Sequence, residues 1–255
     1  MADKIKAQWE ANAEFFAKLI GSRGTPHHRM ILNPCIESLL GDVDGKRLLD
    51  AGCGEGYLSR YFAEQGAIVV GVDISPNLIE ICKEKTEGRE NPRYNVGNIC
   101  DLNGFEDGYF DLVLCNLVLL NVPCLTGALD EFHRILKKDG SLVFSIVHPA
   151  FNFYGPGTWE MGEKDPETNR RIGLYFKIDN YLEEKAYEKY WRSREGEKFP
   201  QPITFYHRTL STYIDAILNS GLDIQTFREP APITDDSFFE REQRIPFFAV
   251  FKVGK

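Results

Sequence analysis

Three glycines in the stretch KRLLDAGCGEGY, residues 46–57, are the clearest sign of chemistry in this chain. Gly52, Gly54 and Gly56 follow an apolar run that ends at Asp50 and Ala51. Glycine lets the backbone pass close to another molecule and adopt conformations that other residues avoid. The pattern predicts a ligand against this loop, and by itself leaves open a nicotinamide dinucleotide, a phosphate or another nucleotide-like cofactor.

The spacing of the glycines argues against two common phosphate-binding loops. A dinucleotide loop follows G-x-G-x-x-G, and Tyr57 occupies the place of the third glycine when the count starts at Gly52. A Walker loop is excluded because no Gly-Lys-Ser/Thr follows. Asp73 ends the next apolar run, AIVVGVD.

Short apolar strands alternate with helices between residues 46 and 148. The runs KRLLDAG, AIVVGVD, RYNVGN, FDLVLCN and SLVFSIVH are predicted strands. The helix TGALDEFHRILKKDG is predicted to carry Lys137 and Lys138 near its C-terminus, with Gly140 just past it. This alternation predicts an α/β fold with a parallel sheet that helices cover on both faces.

Two regions flank this pattern and predict the domain organisation. Residues 1–44 form a predicted helical arm, because apolar residues recur at helical spacing in IKAQWEANAEFFAKLI. Residues 149–208 are rich in aromatic residues and form a predicted insert, either a lid over a substrate or a small satellite core. Residues 45–148 and 209–255 form the predicted ligand-binding core.

Composition narrows the classes of partner and the compartment. The 255-residue chain has a net charge of −8, which argues against binding nucleic acid through charge. No apolar stretch reaches the length of a membrane span and the start has no apolar leader, so we expect a cytoplasmic protein. The six cysteines include no CxxC pair, which predicts free thiols and no metal site.

The stretch LLDAGCGEGYLSRYFAEQGAIVVGVDIS resembles the cofactor-binding region of class I S-adenosylmethionine-dependent methyltransferases. Asp50 to Gly56 match the D-x-G-x-G-x-G motif of that family at every defined position. The resemblance covers residues 44–148 closely and 209–254 more loosely. It implies a Rossmann-like, seven-stranded doubly wound sheet with an antiparallel last strand. It also implies S-adenosylmethionine as the methyl donor and S-adenosylhomocysteine as the product.

The family's binding roles are carried over residue by residue. Asp50 would attract the cationic end of the methionine tail, and Asp73 would bind the ribose hydroxyls. Asn98 stands where the family has an acid that binds the adenine amino group, and its amide oxygen can do the same. The implied cofactor-binding set is Trp9, Arg29, Asp50, Gly52, Cys53, Gly54, Asp73, Ile74, Asn98, Ile99, Asn116 and Leu117.

The N-terminal arm is similar to that of glycine N-methyltransferases, in which an aromatic side chain covers the methionine moiety and an arginine binds its carboxylate. That likeness assigns the arginine role to Arg29 and the aromatic role to Trp9 or Phe16. The alternatives are a surface salt bridge for Arg29 and core packing for the aromatic residues.

Two histidines are the candidate catalytic residues. His148 follows the fifth strand, at the edge of the sheet where ligands bind in open α/β folds, and His207 precedes the helix TLSTYIDAIL. His27 and His28 are weaker candidates. A structural role is the alternative for each histidine.

The expected reaction is in-line displacement of the methyl group by an O, N or S atom of a small-molecule acceptor, in a monomer or a homodimer. One alternative is a non-catalytic S-adenosylmethionine-binding or regulatory protein. A nicotinamide-dependent dehydrogenase is another, and the absent third glycine argues against it.

Overall fold

The computed structural model describes residues 2–164, 166, 171–193 and 196–255. The helices of the described chain are α1 (Ala2–Ile20), α2 (Asn33–Leu40), α3 (Tyr57–Glu64), α4 (Pro76–Glu84), α5 (Leu125–Ile135) and α6 (Leu210–Asn219). The strands are β1 (Arg47–Ala51), β2 (Ile68–Asp73), β3 (Arg93–Val96), β4 (Phe110–Asn116), β5 (Leu136–Val147), β6 (Gly157–Lys164), β7 (Arg171–Ile178), β8 (Lys185–Lys189), β9 (Ile203–His207), β10 (Asp223–Arg228) and β11 (Phe248–Gly254).

A seven-stranded sheet in the order β10-β11-β5-β4-β1-β2-β3 forms the centre of the molecule. The first five strands pair in parallel, and β11 runs antiparallel to both β5 and β10. The predicted fold class is therefore confirmed. The strand order reverses between β1 and β4, which is where open α/β sheets form a ligand crevice at the carboxyl ends of their strands.

Apolar side chains project from both faces of the sheet, because successive residues of a strand point to opposite sides. In β1, Leu49 packs into a core with α5 and α6, whereas Leu48 packs into a second core with α2 and α3. Both leucines are completely buried. Burial on both faces explains why the central strands are almost continuously apolar.

The prediction for the end of α5 was wrong. The helix stops at Ile135, and Leu136 already pairs with Phe110 of β4. Residues 137–140 bulge out of this strand pairing, and Lys137 forms an ion pair with Asp111 at 2.6 Å. Strand pairing with β4 overrides the local helical pattern, because it gives the backbone N–H and C=O groups the hydrogen bonds that a longer helix would have provided.

The prediction that the cysteines are free thiols was wrong for one pair. Cys100 and Cys124 form a disulfide with a Cα–Cα distance of 6.4 Å. Their loops follow β3 and β4, and a separation of 24 residues in sequence did not reveal that they meet. Cys53, Cys82 and Cys115 are free and buried, and Cys35 is half-buried.

Helix α1 joins the insert to the core at the carboxyl edge of the sheet. It packs against α4 and against β9 of the insert. Asn12 is completely buried, and its side chain both donates to the carbonyl oxygen of Gln201 and accepts from its N–H, each at 3.0 Å. Gln8 accepts a hydrogen bond from Thr204 at 2.9 Å. These buried polar contacts connect residues about 190 positions apart and hold the arm in place.

Replacing Asn12 by alanine should loosen the arm and the insert together. The substitution removes two part-buried hydrogen bonds between Asn12 and the backbone of Gln201, each worth about 0.5–1.5 kcal/mol. We expect faster amide hydrogen exchange in α1 and β9 with little change in β1 and β4. Asn219→Ala, at the exposed end of α6, is the matched control. The same exchange rates in both variants would contradict this role for Asn12.

Candidate active site

A cavity of about 820 Å³ lies at the carboxyl ends of β1, β2 and β4. Pockets that bind drug-sized ligands have volumes of roughly 300–1,000 Å³. The floor comes from the strand ends and the loops after them, and the walls come from the N-terminal arm, the insert and the segment before β11. The cavity therefore occupies the crevice that the strand order creates.

The glycine loop after β1 is packed tightly, which explains its small residues. Gly52 has φ +80°, and a Cβ there would lie 2.3 Å from Cγ2 of Val118. Gly54 has φ +57°, and a Cβ there would lie 2.9 Å from Cε1 of Phe16. Side chains from the β4 loop and the arm thus rest directly on this backbone, so both glycines are needed for close approach as well as for conformation.

The Asp73 carboxylate is held at the end of β2 by two backbone groups. Oδ2 accepts from the N–H of Gly54 at 2.9 Å, and Oδ1 accepts from the N–H of Ser75 at 3.0 Å. A carboxylate offers about four lone-pair positions, so two remain for hydroxyl donors in the cavity that Asp73 lines. Burial raises the pKa of Asp73 to about 6, although these hydrogen bonds favour the ionised form.

Asp50 is a second buried acid in the cavity wall. Its side chain accepts a hydrogen bond from Oγ of Ser59 at 2.6 Å. Burial raises the pKa of Asp50 to about 6; the Ser59 hydrogen bond opposes the shift and the negative charge of Asp73 adds to it. Two buried acids near each other favour a positively charged ligand, because a cation offsets the cost of ionising them.

The remaining predicted binding residues of the core also line this cavity: Cys53, Ile74, Asn98, Ile99, Asn116 and Leu117. Oδ1 of Asn98 accepts from the N–H of Cys100 at 3.0 Å, so this oxygen keeps one lone pair for a ligand. Leu117 has φ +57°, a conformation rare for a residue with a side chain, and its N–H donates to Ser145. Backbone strain of this kind is concentrated at ligand sites.

Aromatic side chains from the arm and the insert form one wall of the cavity. The Trp9 and Phe16 rings meet edge-on at 5.2 Å, and Trp9 lies 6.3 Å from Trp191 of the insert. Tyr154 and Phe205 stack at 4.5 Å with 5° between their planes. The structure therefore brings Trp9 to the cavity beside an aromatic wall that the insert supplies.

Three predicted site residues do not lie among the described residues that line the cavity. Arg29 is exposed and donates to the carbonyl oxygen of Gly24 at 2.7 Å. Nδ1 of His148 accepts from the N–H of Ala150 at 3.2 Å, and its Nε2 lies 2.8 Å from Oε1 of Glu229. His207 points its Nε2 to the carbonyl oxygen of Tyr181 at 2.8 Å. Each side chain is taken up by contacts elsewhere.

Sequence reasoning underrated His27 and His28, which do line the cavity. They lie at the start of a π-helical turn, His28–Leu32, which leads into α2. Single π turns within helices are frequent at functional sites. Burial lowers the pKa of His28 to about 4, and its Nδ1 accepts from the N–H of Thr25 at 3.2 Å. The adjacent pair of histidines before a helix was the only signal in the sequence.

Neither a metal site nor a membrane-spanning helix occurs among the described residues. Within the described ranges, no group of three or more His, Cys, Asp or Glu side chains has the arrangement of a metal site. In the same part of the chain, no helix is both long enough and apolar enough to cross a membrane.

Comparison with known proteins identifies the core. The sequence profile of a methyltransferase-domain family matches residues 49–144. Ubiquinone biosynthesis O-methyltransferase of Coxiella burnetii is 35% identical over 113 residues, which are 44% of this chain and 48% of that protein. An uncharacterized protein of Haemophilus influenzae is 27% identical over 209 residues, 80% of this chain and 77% of that one.

Solved structures extend the likeness to most of the chain. A protein from Listeria monocytogenes, assigned to the S-adenosylmethionine-dependent methyltransferases, aligns with a TM-score of 0.73 and 28% identity, over 87% of this chain and 95% of its own. A methyltransferase of the same kind from Mesorhizobium loti aligns with a TM-score of 0.71 and 25% identity, over 92% of this chain and all of its own.

Replacing Asp50 by asparagine should stabilise the ligand-free protein by an amount that grows with pH. Because burial raises the folded-state pKa from 3.8 to about 6, the folded wild type loses stability as pH rises through that window. Two pKa units correspond to about 3 kcal/mol, reached above pH 6. Denaturant unfolding at pH 4.5, 5.5 and 7.5 measures the gain, with exposed Asp215→Asn as control. A gain independent of pH would refute the assignment.

Proposed function

Because this chain is a class I S-adenosylmethionine-dependent methyltransferase, we propose that it transfers the methyl group to an oxygen atom of a small acceptor with an apolar body. One observation carries the proposal: a single cavity joins the glycine loop and Asp73 to the aromatic wall of the arm and insert. The cavity volume suits a cofactor together with the reacting part of a small acceptor.

The residues of the crevice suit S-adenosylmethionine, whose bound form supplies a methyl group activated by a positively charged sulfur. In this proposal Asp73 accepts hydrogen bonds from the ribose hydroxyls through its two remaining lone pairs. Asp50 faces the cationic end of the molecule, where a positive charge relieves the cost of its burial. Gly52 and Gly54 let the backbone approach the methionine tail.

The far parts of the cofactor would contact the ends of β3 and β4. Asn98 and Ile99 would bind the adenine, and Ile74 and Cys53 would pack beside it. Asn116 and Leu117 would lie near the reacting end. Trp9 would cover the methionine portion from above, supported by its edge-on contact with Phe16. Arg29 has no part in the proposal, because its side chain is exposed and bound to Gly24.

Two observations support oxygen and a small apolar molecule as the acceptor. The matched Coxiella burnetii protein is by name an O-methyltransferase, and this chain's match spans about half of its length. The aromatic wall offers flat apolar surfaces, which bind planar apolar bodies and exclude water. The chain's own contribution to the reaction is then to align the acceptor and keep the cavity dry.

Replacing Asp73 by asparagine should weaken binding of S-adenosylhomocysteine by about 10- to 100-fold. Asparagine keeps the size of the side chain but loses the charge that strengthens hydrogen bonds to the ribose, worth about 1.5–3 kcal/mol. Titration calorimetry at pH 7.5 measures the change, and Asp215→Asn is the exposed control. Unchanged affinity in Asp73→Asn would contradict the ribose assignment.

The acceptor class is tested with methyl-labelled S-adenosylmethionine and a panel of small phenols, alcohols, amines and thiols. The proposal expects label on oxygen, with the fastest transfer to acceptors that carry an aromatic ring. Label on nitrogen or sulfur alone would overturn the oxygen assignment, and no transfer to any member would overturn the proposed acceptor class.

A further inference from the structure

His27 and Glu242 form a close pair beside the cavity. Nε2 of His27 lies 2.7 Å from Oε1 of Glu242, and the glutamate side chain is only 3% exposed. Its other oxygen, Oε2, is buried and has no hydrogen-bond partner within the described chain. A buried carboxylate that is satisfied on one side only is costly, so its pairing with an imidazole calls for a functional explanation.

Aromatic rings enclose this pair. The imidazole of His27 stacks on Phe247 with 9° between the planes and centroids 6.2 Å apart. It also contacts Phe238, Phe239 and Phe248 at centroid distances of 5.5–6.4 Å. Hydrogen bonds between charged groups are stronger in such apolar surroundings than in water. The rings also hold the imidazole plane in one orientation.

The pairing decides which nitrogen of His27 is available to a ligand. A carboxylate can only accept, so Nε2 carries the proton and the neutral ring keeps its lone pair on Nδ1. Because Glu242 occupies Nε2 and His27 lines the cavity, Nδ1 is the nitrogen left for a molecule bound there. A base whose second nitrogen is oriented by a carboxylate is a recurrent arrangement for taking a proton.

Resting on the proposed function, we propose that His27 is the catalytic residue that takes the proton of the acceptor hydroxyl, and that Glu242 is its positioning residue. A lone pair of the hydroxyl oxygen forms the bond to the methyl carbon, and the electrons of the carbon–sulfur bond go to sulfur. The electrons of the O–H bond stay on oxygen, and its proton goes to Nδ1. The positive charge thus passes to the imidazole, where the Glu242 carboxylate stabilises it.

The other polar side chains of the cavity suit this role less well. Nδ1 of His28 already accepts from Thr25, and its pKa is lowered to about 4, so this ring stays neutral and can only donate. Burial raises the pKa of Tyr154 to about 12 and holds that of Tyr57 well above its usual value, so both remain protonated. Among the described residues, the titratable groups recorded against His27 are His28 beside it and Glu242 opposite.

A histidine base narrows the class of acceptor. A phenolic hydroxyl has a pKa of about 10, a few units above imidazole, whereas an aliphatic alcohol is far less acidic. Proton transfer to His27 is therefore effective for a phenol-type hydroxyl. The aromatic wall fits the ring of such a molecule, so the pair and the wall point to the same acceptor.

The first test needs no acceptor. In ¹⁵N-histidine-labelled full chain, the shifts of His27 should show a protonated Nε2 and an unprotonated Nδ1 at neutral pH. Glu242→Gln should change the tautomer ratio or the titration of His27 and leave His133 on α5 unchanged. A protonated Nδ1 in the wild type would overturn the pairing even if methyl transfer proceeds as proposed. So would a tautomer ratio and a titration of His27 that are unchanged in Glu242→Gln.

The second test uses the phenol that the wild type methylates fastest in the panel. His27→Asn should lower kcat by about 100-fold or more, because general base catalysis contributes roughly 10²- to 10⁴-fold, while S-adenosylhomocysteine affinity stays within twofold. Glu242→Gln should lower kcat and alter the acidic limb of the pH–rate profile, and Glu242→Asp should restore part of the rate. Exposed Glu240→Gln and His133→Asn are the controls.

The results of these experiments distinguish the role proposed for His27 from the proposed methyltransferase function. If His27→Asn keeps kcat within threefold of wild type, His27 is not the base although the methyltransferase function stands. If both His27→Asn and the wild type fail with every phenol but methylate another oxygen acceptor, the phenol class and the role of His27 toward it are overturned together. Loss of S-adenosylhomocysteine binding in His27→Asn would assign the residue to the cofactor site instead.

Discussion

The hydrogen bond from the Gly54 N–H to the Asp73 carboxylate is the contact on which the site depends. It ties the loop after β1 to the end of β2, beside the crevice that opens where the strand order reverses between β1 and β4. The loop can reach that carboxylate only because its glycines accept positive φ and leave room for Phe16 and Val118. The same contact keeps an acid buried, and burial raises its pKa to about 6. The floor of the cavity therefore combines a hydrogen-bonded backbone with a carboxylate whose ionised form is disfavoured by burial.

The arm and the insert turn this crevice into an enclosed cavity. The sheet supplies only the floor, and the walls come from segments that are far apart in sequence. Asn12 and Gln201 join the arm to the insert through two hydrogen bonds, and the Trp9 and Trp191 rings lie edge-on, 6.3 Å apart, in the cavity lining. The arm and the insert thus add an apolar wall to the core that the methyltransferase-domain family matches. Under the proposed function, these segments would contact the acceptor, because the residues of the core would hold the methyl donor.

Several elements follow from local sequence because local physics decides them. Ser75 caps α4 by accepting from the N–H of Leu78, and Pro76 occupies the first helical position; both residue types are favoured at these places. The end of α5 could not be predicted from its own residues, because pairing of Leu136 with β4 stops the helix. The disulfide between Cys100 and Cys124 depends on two loops that meet only in the folded chain.

By itself, the sequence determined the sheet, the glycine loop and the acids beside it, since strand and loop patterns depend on neighbouring residues. From these it identified the methyl donor. Only the tertiary structure decided which histidine faces the cavity. His148 contacts Ala150 and Glu229 outside the cavity, whereas His27 lines the cavity and pairs with Glu242, 215 residues away in sequence. Side-chain direction and long-range pairing depend on how distant segments pack, and no spacing within one segment records that.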